Sequence, residues 1–239
     1  MPTRSWPLIA LLLLVPLVCW AWIVALARDM YGPMNGASAW MMTPVWDAPH
    51  LFLLWTMWAV MMTAMMLPSA IPMIVLGGGR TRACMLALGY TSVWAAFSIA
   101  ATALQLLLMR SMIVTPMMQL STPRAGAALL AVAGLYQFTP LKGACLTTCQ
   151  SPMAFLARSW RSGSLGAFRM GAEHGVSCVG CCWALMLLLF VGGVMNLTVI
   201  FALTVLVAFE KLVPLGVWSA RVSGVLLMAL AAREWLRPA

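Results

Sequence analysis

The chain has 239 residues, of which 64% are apolar and only 8% charged, against about 45–50% apolar and about 25% charged in soluble domains. That excludes an ordinary soluble protein. The formal charge of +9 is scattered one or two residues per loop, a pattern of interface anchors and topology signals rather than a nucleic-acid surface. A membrane helix needs about 20 apolar residues, so seven spans would take roughly 140 positions and leave short loops. The predicted class is all-α, a polytopic transmembrane helix bundle of about seven spans, with six to eight bracketing the count. It is read as one integral membrane domain over residues 1–239.

Span one runs uncharged from Ser5 to Ala27 between Arg4 and Arg28. Ala25-Leu26-Ala27 also resembles a signal-peptide cleavage site, but the apolar core is long for an export signal, and an uncleaved anchor is preferred. Span two covers about His50 to Leu76, with Pro68 and Pro72 near its end and Gly77-Gly78-Gly79-Arg80 as a turn; that turn lacks the Lys and Ser/Thr of a phosphate loop. Span three follows Arg82 and ends near Met109, and a loop with Pro116 and Pro123 leads to span four, about Ala125 to Leu141, with a break at Pro140. The segment from Lys142 to Arg169 reads as a half-span or surface helix followed by a solvated connection carrying Arg158, Arg161, Gly163 and Gly166. Span five is expected over about His174 to Val191, span six ends near Phe209, and span seven covers about Leu212 to Ala232.

With the N-terminus cytoplasmic, Arg4, Arg80, Arg82, Lys142, Arg158, Arg161, Arg169 and Lys211 face inward, while Arg28, Arg110, Arg124, Arg233 and Arg237 face outward. Eight against five favours that orientation.

The chemistry sits in three motifs. In WAVMMTAMMLPSAIP, Met61 pairs with Met65 and Met62 with Met66 at helical i, i+4 spacing. Thioethers suit Cu(I) over Mg, Ca or Mn, although Met also fills irregular gaps in helix bundles. In FTPLKGACLTTCQSP, Cys145 and Cys149 have the same spacing just after a helix-breaking proline. The sharpest cluster is EHGVSCVGCCW, where His174, Cys178 and one or both of Cys181 and Cys182 form one stripe, an imidazole and thiol set familiar for transition metals. Glu173, Glu210 and Lys211 are candidate polar support; Glu210-Lys211 could equally be an interfacial anchor, and Arg221, inside span seven, needs a partner such as Glu210 or Glu173. Asp29, Asp47 and His50 read as loop or interface residues. Because spans alternate direction, the Met pairs, the two Cys motifs and Glu210 approach the same membrane face and can converge.

The blocks MMTAMMLPSAIP, YQFTPLKGACLTTCQSP, GAEHGVSCVGCCWALM with GGVMN, and FEKLVP, in this order over about Trp46 to Pro214, resemble the bacterial predicted metal-binding integral membrane proteins. That family was long catalogued as a domain of unknown function, and some members are described as copper chaperones serving copper enzymes such as a tyrosinase. The resemblance implies metal binding at the Met and Cys positions, with copper as the metal. It also implies a bacterial inner (cytoplasmic) membrane location, and an apo copper enzyme or another copper-handling protein as partner. The combined expectation is a Cu(I)-binding membrane chaperone that delivers its ion by ligand exchange. Delivery ranks ahead of an enzymatic role. The alternatives are a thiol-disulfide oxidoreductase using Cys178 with Cys181 or Cys182, a metal transporter, a zinc site, and a structural subunit without metal.

Overall fold

A computed structural model describes residues 6–32, 34–42, 46–115, 117–213 and 216–237. Arg4, Ser5, Pro116 and Pro214, used above, lie outside them. The elements in order are α1 (Trp6–Met30), α2 (Ala37–Met41), α3 (Ala48–Leu76), α4 (Arg80–Arg110), α5 (Pro123–Tyr136), α6 (Pro140–Gln150), α7 (Pro152–Ser159), α8 (Gly163–Met186), α9 (Leu189–Gly192), α10 (Leu197–Leu212) and α11 (Val217–Trp235). Between Val114 and Leu120 lies one isolated antiparallel bridge.

Helix ends follow local chemistry. Asp47 accepts from His50 N at α3, Thr122 from Ala125 N at α5 and Thr139 from Lys142 N at α6, and each of these helices has proline in its first turn, where a missing N–H is harmless. The expected break at Pro140 is present: α5 stops at Tyr136, α6 starts at Pro140, and their axes differ by 67°.

Among the described residues four helices are long and apolar enough to cross a membrane: Pro7–Met30, Ala48–Leu76, Arg80–Arg110 and Gly163–Gly192. The bent pair Pro123–Tyr136 and Pro140–Gln150 makes a fifth if it is one span. The count is thus four to five against the expected seven. The shortfall lies in α10, which has only 16 residues, and in α11, which carries Arg221, Arg233 and Glu234 within 19. The fifth predicted span begins eleven positions earlier than expected, at Gly163, so Gly166 and Arg169 are helical rather than part of a connection.

α3 and α4 form an antiparallel hairpin, with Trp55 Nε1 donating to Ala95 O and Trp58 Nε1 to Gln105 Oε1. α4 and α8 run parallel and very close, because Gly89 faces the backbone of Phe168 and Gly171 faces that of Leu86. A Cβ at Gly171 would stand 2.1 Å from Leu86 O, so only glycine permits this approach. α1 packs on α3, and α11 on α5 and α6. α10 enters this group through α3, and its last turn reaches α8 beside Cys178.

Candidate metal centre

Three elements, α3, α6 and α8, bring sulfur to one place. α3 buries Met57, Trp58, Met61, Met62, Ala64, Met65, Met66 and Leu67 almost all round, as expected of a helix surrounded by others. All four predicted methionines are therefore core residues, and the sulfur of Met66 lies against a cysteine. α6 buries Lys142, Leu146 and Cys149 on one stripe. α8 buries His174, Cys178, Cys181 and Cys182 together, as the helical spacing predicts.

Cys182 Sγ lies 3.9 Å from Met66 Sδ, and Cys149 Sγ lies 3.9 Å from Cys181 Sγ. Cys178 lies on the same buried stripe of α8 as Cys181 and Cys182. Tyr90 on α4 closes one side, its hydroxyl donating to Met66 O at 3.0 Å and standing 2.9 Å from Cys178 Sγ. Cys145 is half-buried beside the core of the cluster, its sulfur filling the space where Gly180 lacks a side chain. The His174 ring lies between Tyr90 and Phe155, with centroids 6.0 and 5.1 Å away, and its buried Nδ1 has no hydrogen-bond partner.

Among the described residues no three His, Cys, Asp or Glu side chains stand as a group that could hold a metal ion. The geometry gives the reason. The thiols of Cys181 and Cys182 are turned back onto the carbonyl of Cys178, at 3.1 and 2.9 Å, a local bond that small polar side chains in helices commonly make. The fifth sulfur of the set belongs to a methionine.

Beside the sulfurs lies a buried polar network. Lys142 Nζ and Glu210 Oε2 meet at 2.6 Å. Glu210 Oε1 also accepts from Gln137 Nε2 at 3.0 Å and from Ser223 Oγ at 2.5 Å, and Gln150 Nε2 donates to Glu210 O at 2.7 Å. Lys211, next in sequence, turns the other way: its Nζ stands 2.8 Å from Cys178 Sγ and 3.5 Å from Met66 Sδ.

Several expectations are corrected here. Lys142 and Lys211 are not loop charges but buried, and Glu210 is a core carboxylate rather than an interfacial anchor. Glu173 gives the cluster no support; it pairs with Arg161 at 2.5 Å with both side chains more than a third exposed. Arg221 has neither Glu210 nor Glu173 as partner, and its exposed guanidinium instead lies over the Trp218 ring at 5.3 Å. His50 is fully buried rather than interfacial, within 3.3 Å of Met41 O. Tyr90, Gln137, Gln150 and Ser223 escaped sequence reasoning because single hydroxyls and amides in apolar helices carry no spacing signal.

Residues 55–233 match the model of a family, PpoB2, described as a copper chaperone. No curated protein and no solved structure matches the chain.

Proposed function

Because the chain belongs to the copper-chaperone family PpoB2, we propose that it is a multi-pass protein of the bacterial inner membrane that binds Cu(I) in the sulfur cluster and delivers it to an apo copper enzyme or another copper-handling protein. The observation that carries this reading is the gathering of sulfur from α3, α6 and α8: Cys149 against Cys181, Cys182 against Met66, and Cys178 and Met66 against one lysine. Soft thiolates and a thioether in an apolar interior favour Cu(I) over harder ions. Rotation of Cys181 and Cys182 off the Cys178 carbonyl supplies the remaining ligands, and His174 Nδ1 is a free donor on the same stripe. Met61, Met62 and Met65 extend the thioether line along α3, and Cys145 flanks the thiols; these four are transfer positions rather than holding ligands.

Membrane integration is supported by the apolar side chains left facing outward, including Leu17, Phe52, Ile99, Leu107 and Phe201, each more than 60% exposed, far beyond what a soluble surface carries. The chain acts as one domain of seven crossings. α1, α3, α4, bent α5–α6, and α8 supply five, and the shorter α10 and α11 complete the bundle, their buried faces satisfied by α3, α5 and α6.

The test is metal content by mass spectrometry on detergent-purified, reduced protein, beside a variant with Cys178, Cys181 and Cys182 all replaced by serine. Stoichiometric copper in the wild type and none in the variant is expected; equal copper in both overturns the reading. A thiol-disulfide oxidoreductase is the second reading, favoured by the 3.9 Å approach of Cys149 Sγ to Cys181 Sγ. It requires redox-dependent thiol trapping with no copurifying metal.

A further inference from the structure

Lys211 occupies an unusual position for a lysine. Its Nζ lies within 2.8 Å of Cys178 Sγ and 3.5 Å of Met66 Sδ, so a cation already bridges a cysteine sulfur and a thioether, the two donor types that Cu(I) would use. A buried charge persists only where it is paired. Glu210, the adjacent carboxylate, is already matched by Lys142 and by the side chains of Gln137 and Ser223, so the Lys211 charge belongs to the sulfurs. It is also placed to move: Lys211 is the last residue but one of α10, and the backbone turns extended at Val213.

We propose that Lys211 is the release residue of the site: its ammonium and the copper ion alternate on Cys178 and Met66, and the return of the ammonium speeds hand-over of Cu(I) to an acceptor thiol. This rests on the copper-delivery reading above. In the transfer step the copper–sulfur bond to Cys178 breaks and the electron pair stays on Sγ. The acceptor, having given its thiol proton to solvent, supplies the pair for the new copper–sulfur bond. Copper remains Cu(I) throughout, and no electron changes hands. The negative charge left on Cys178 is the one Lys211 neutralises. Without the ammonium that charge develops bare in an apolar interior, and the barrier to departure rises. Lys211 thus acts through Cys178 and Met66 as a positioning residue.

The experiment uses the full-length, reduced protein in detergent, loaded with Cu(I), with glutathione as acceptor and a chromogenic Cu(I) chelator reporting the freed ion. Wild type is compared with Lys211→Leu and Lys211→Gln, which remove the charge without adding a sulfur donor, and with Lys211→Arg, which keeps it. Both neutral variants are expected to load as much copper as the wild type and to release it about ten- to hundredfold more slowly, the range set by one lost charge-assisted contact. Lys211→Arg should stay near the wild-type rate. Neutral variants that release as fast as the wild type, that fail to load copper, or that match a Lys211→Arg variant slowed to the same degree overturn the proposal. Wild type that takes up no copper overturns the copper-delivery reading and this proposal with it, which separates the two failures.

Discussion

Lys142 and Glu210 meet at 2.6 Å with side chains 1% and 2% exposed. A pair so placed gains little over an apolar pair of the same volume, yet breaking it leaves one charge stranded. Glu210→Gln or Lys142→Met alone should therefore lower the stability of the detergent-solubilised protein by about 3–5 kcal/mol, and the double replacement should recover most of that loss; thermal unfolding of the three variants checks it. Additive losses in the double variant would show that the two groups act independently. The pair is invisible in sequence because its members lie 68 positions apart, and Lys142 follows a Thr-Pro helix start that reads as a membrane boundary. The cysteine stripe of α8 was legible because i, i+3 and i, i+4 positions of one helix share a face whatever surrounds it. The approach of Met66 to Cys182 and Lys211 was not legible, since all four methionines are buried and the seating of α8 and α10 sets this contact.

The parallel contact of α4 and α8 rests on Gly89, Gly171 and Gly175, where an added Cβ would meet Phe168 O at 2.0 Å, Leu86 O at 2.1 Å and Tyr90 O at 3.1 Å. Because Tyr90 and Cys178 lie on these helices, their close approach is also what sets the 2.9 Å contact between them. Gly89→Ala or Gly171→Ala should force the helices apart, lowering stability by about 3 kcal/mol or more and reducing copper loading. Gly79→Ala, where nothing lies within 4 Å, should do neither. Thermal unfolding and metal content of the three variants decide this, and a tolerated Gly171→Ala would contradict the packing. At the same scale Thr139-Pro140 turns one predicted span into two helices at 67°, and α6 then carries Cys149 to Cys181. The break was legible in the proline; its angle depends on what α6 lands on.

The helices sort into two ends. Arg82 donates to Arg161 O and its guanidinium lies 3.9 Å from the Trp160 ring centroid, which joins the α3–α4 turn to the start of α8. At the other end Leu120 N donates to Phe190 O and Val194 N to Met118 O. With Lys142 and Lys211 buried, the charge bias of eight against five in the sequence falls to six against five: Arg4, Arg80, Arg82, Arg158, Arg161 and Arg169 against Arg28, Arg110, Arg124, Arg233 and Arg237. Orientation must then be read from accessibility. Epitope tags inserted after Asn35 and after Ser111 should be reached from one side of the membrane, and tags after Gly78 and after Ser162 from the other. Tags after Ser111 and Ser162 detected on the same side would remove the crossing made by α5 and α6. α10 spans only about 24 Å at 1.5 Å per residue, from the Asn196 cap to Lys211 beside Cys178. The sulfur cluster therefore lies beside the last turn of a short helix and is buried rather than at a surface.

The sequence by itself determined the helical class, the proline break, the soft donor residues and their order along each helix. These follow from composition, from backbone stereochemistry and from the 3.6-residue repeat, all of which act locally. Only the tertiary structure decided that Met66 lies against Cys182, that Lys142 belongs to Glu210, that Glu173 and Arg221 stay outside, and that Lys211 reaches Cys178. Each of those outcomes depends on the rotation and depth of one helix against another, quantities set by close packing between residues distant in the chain.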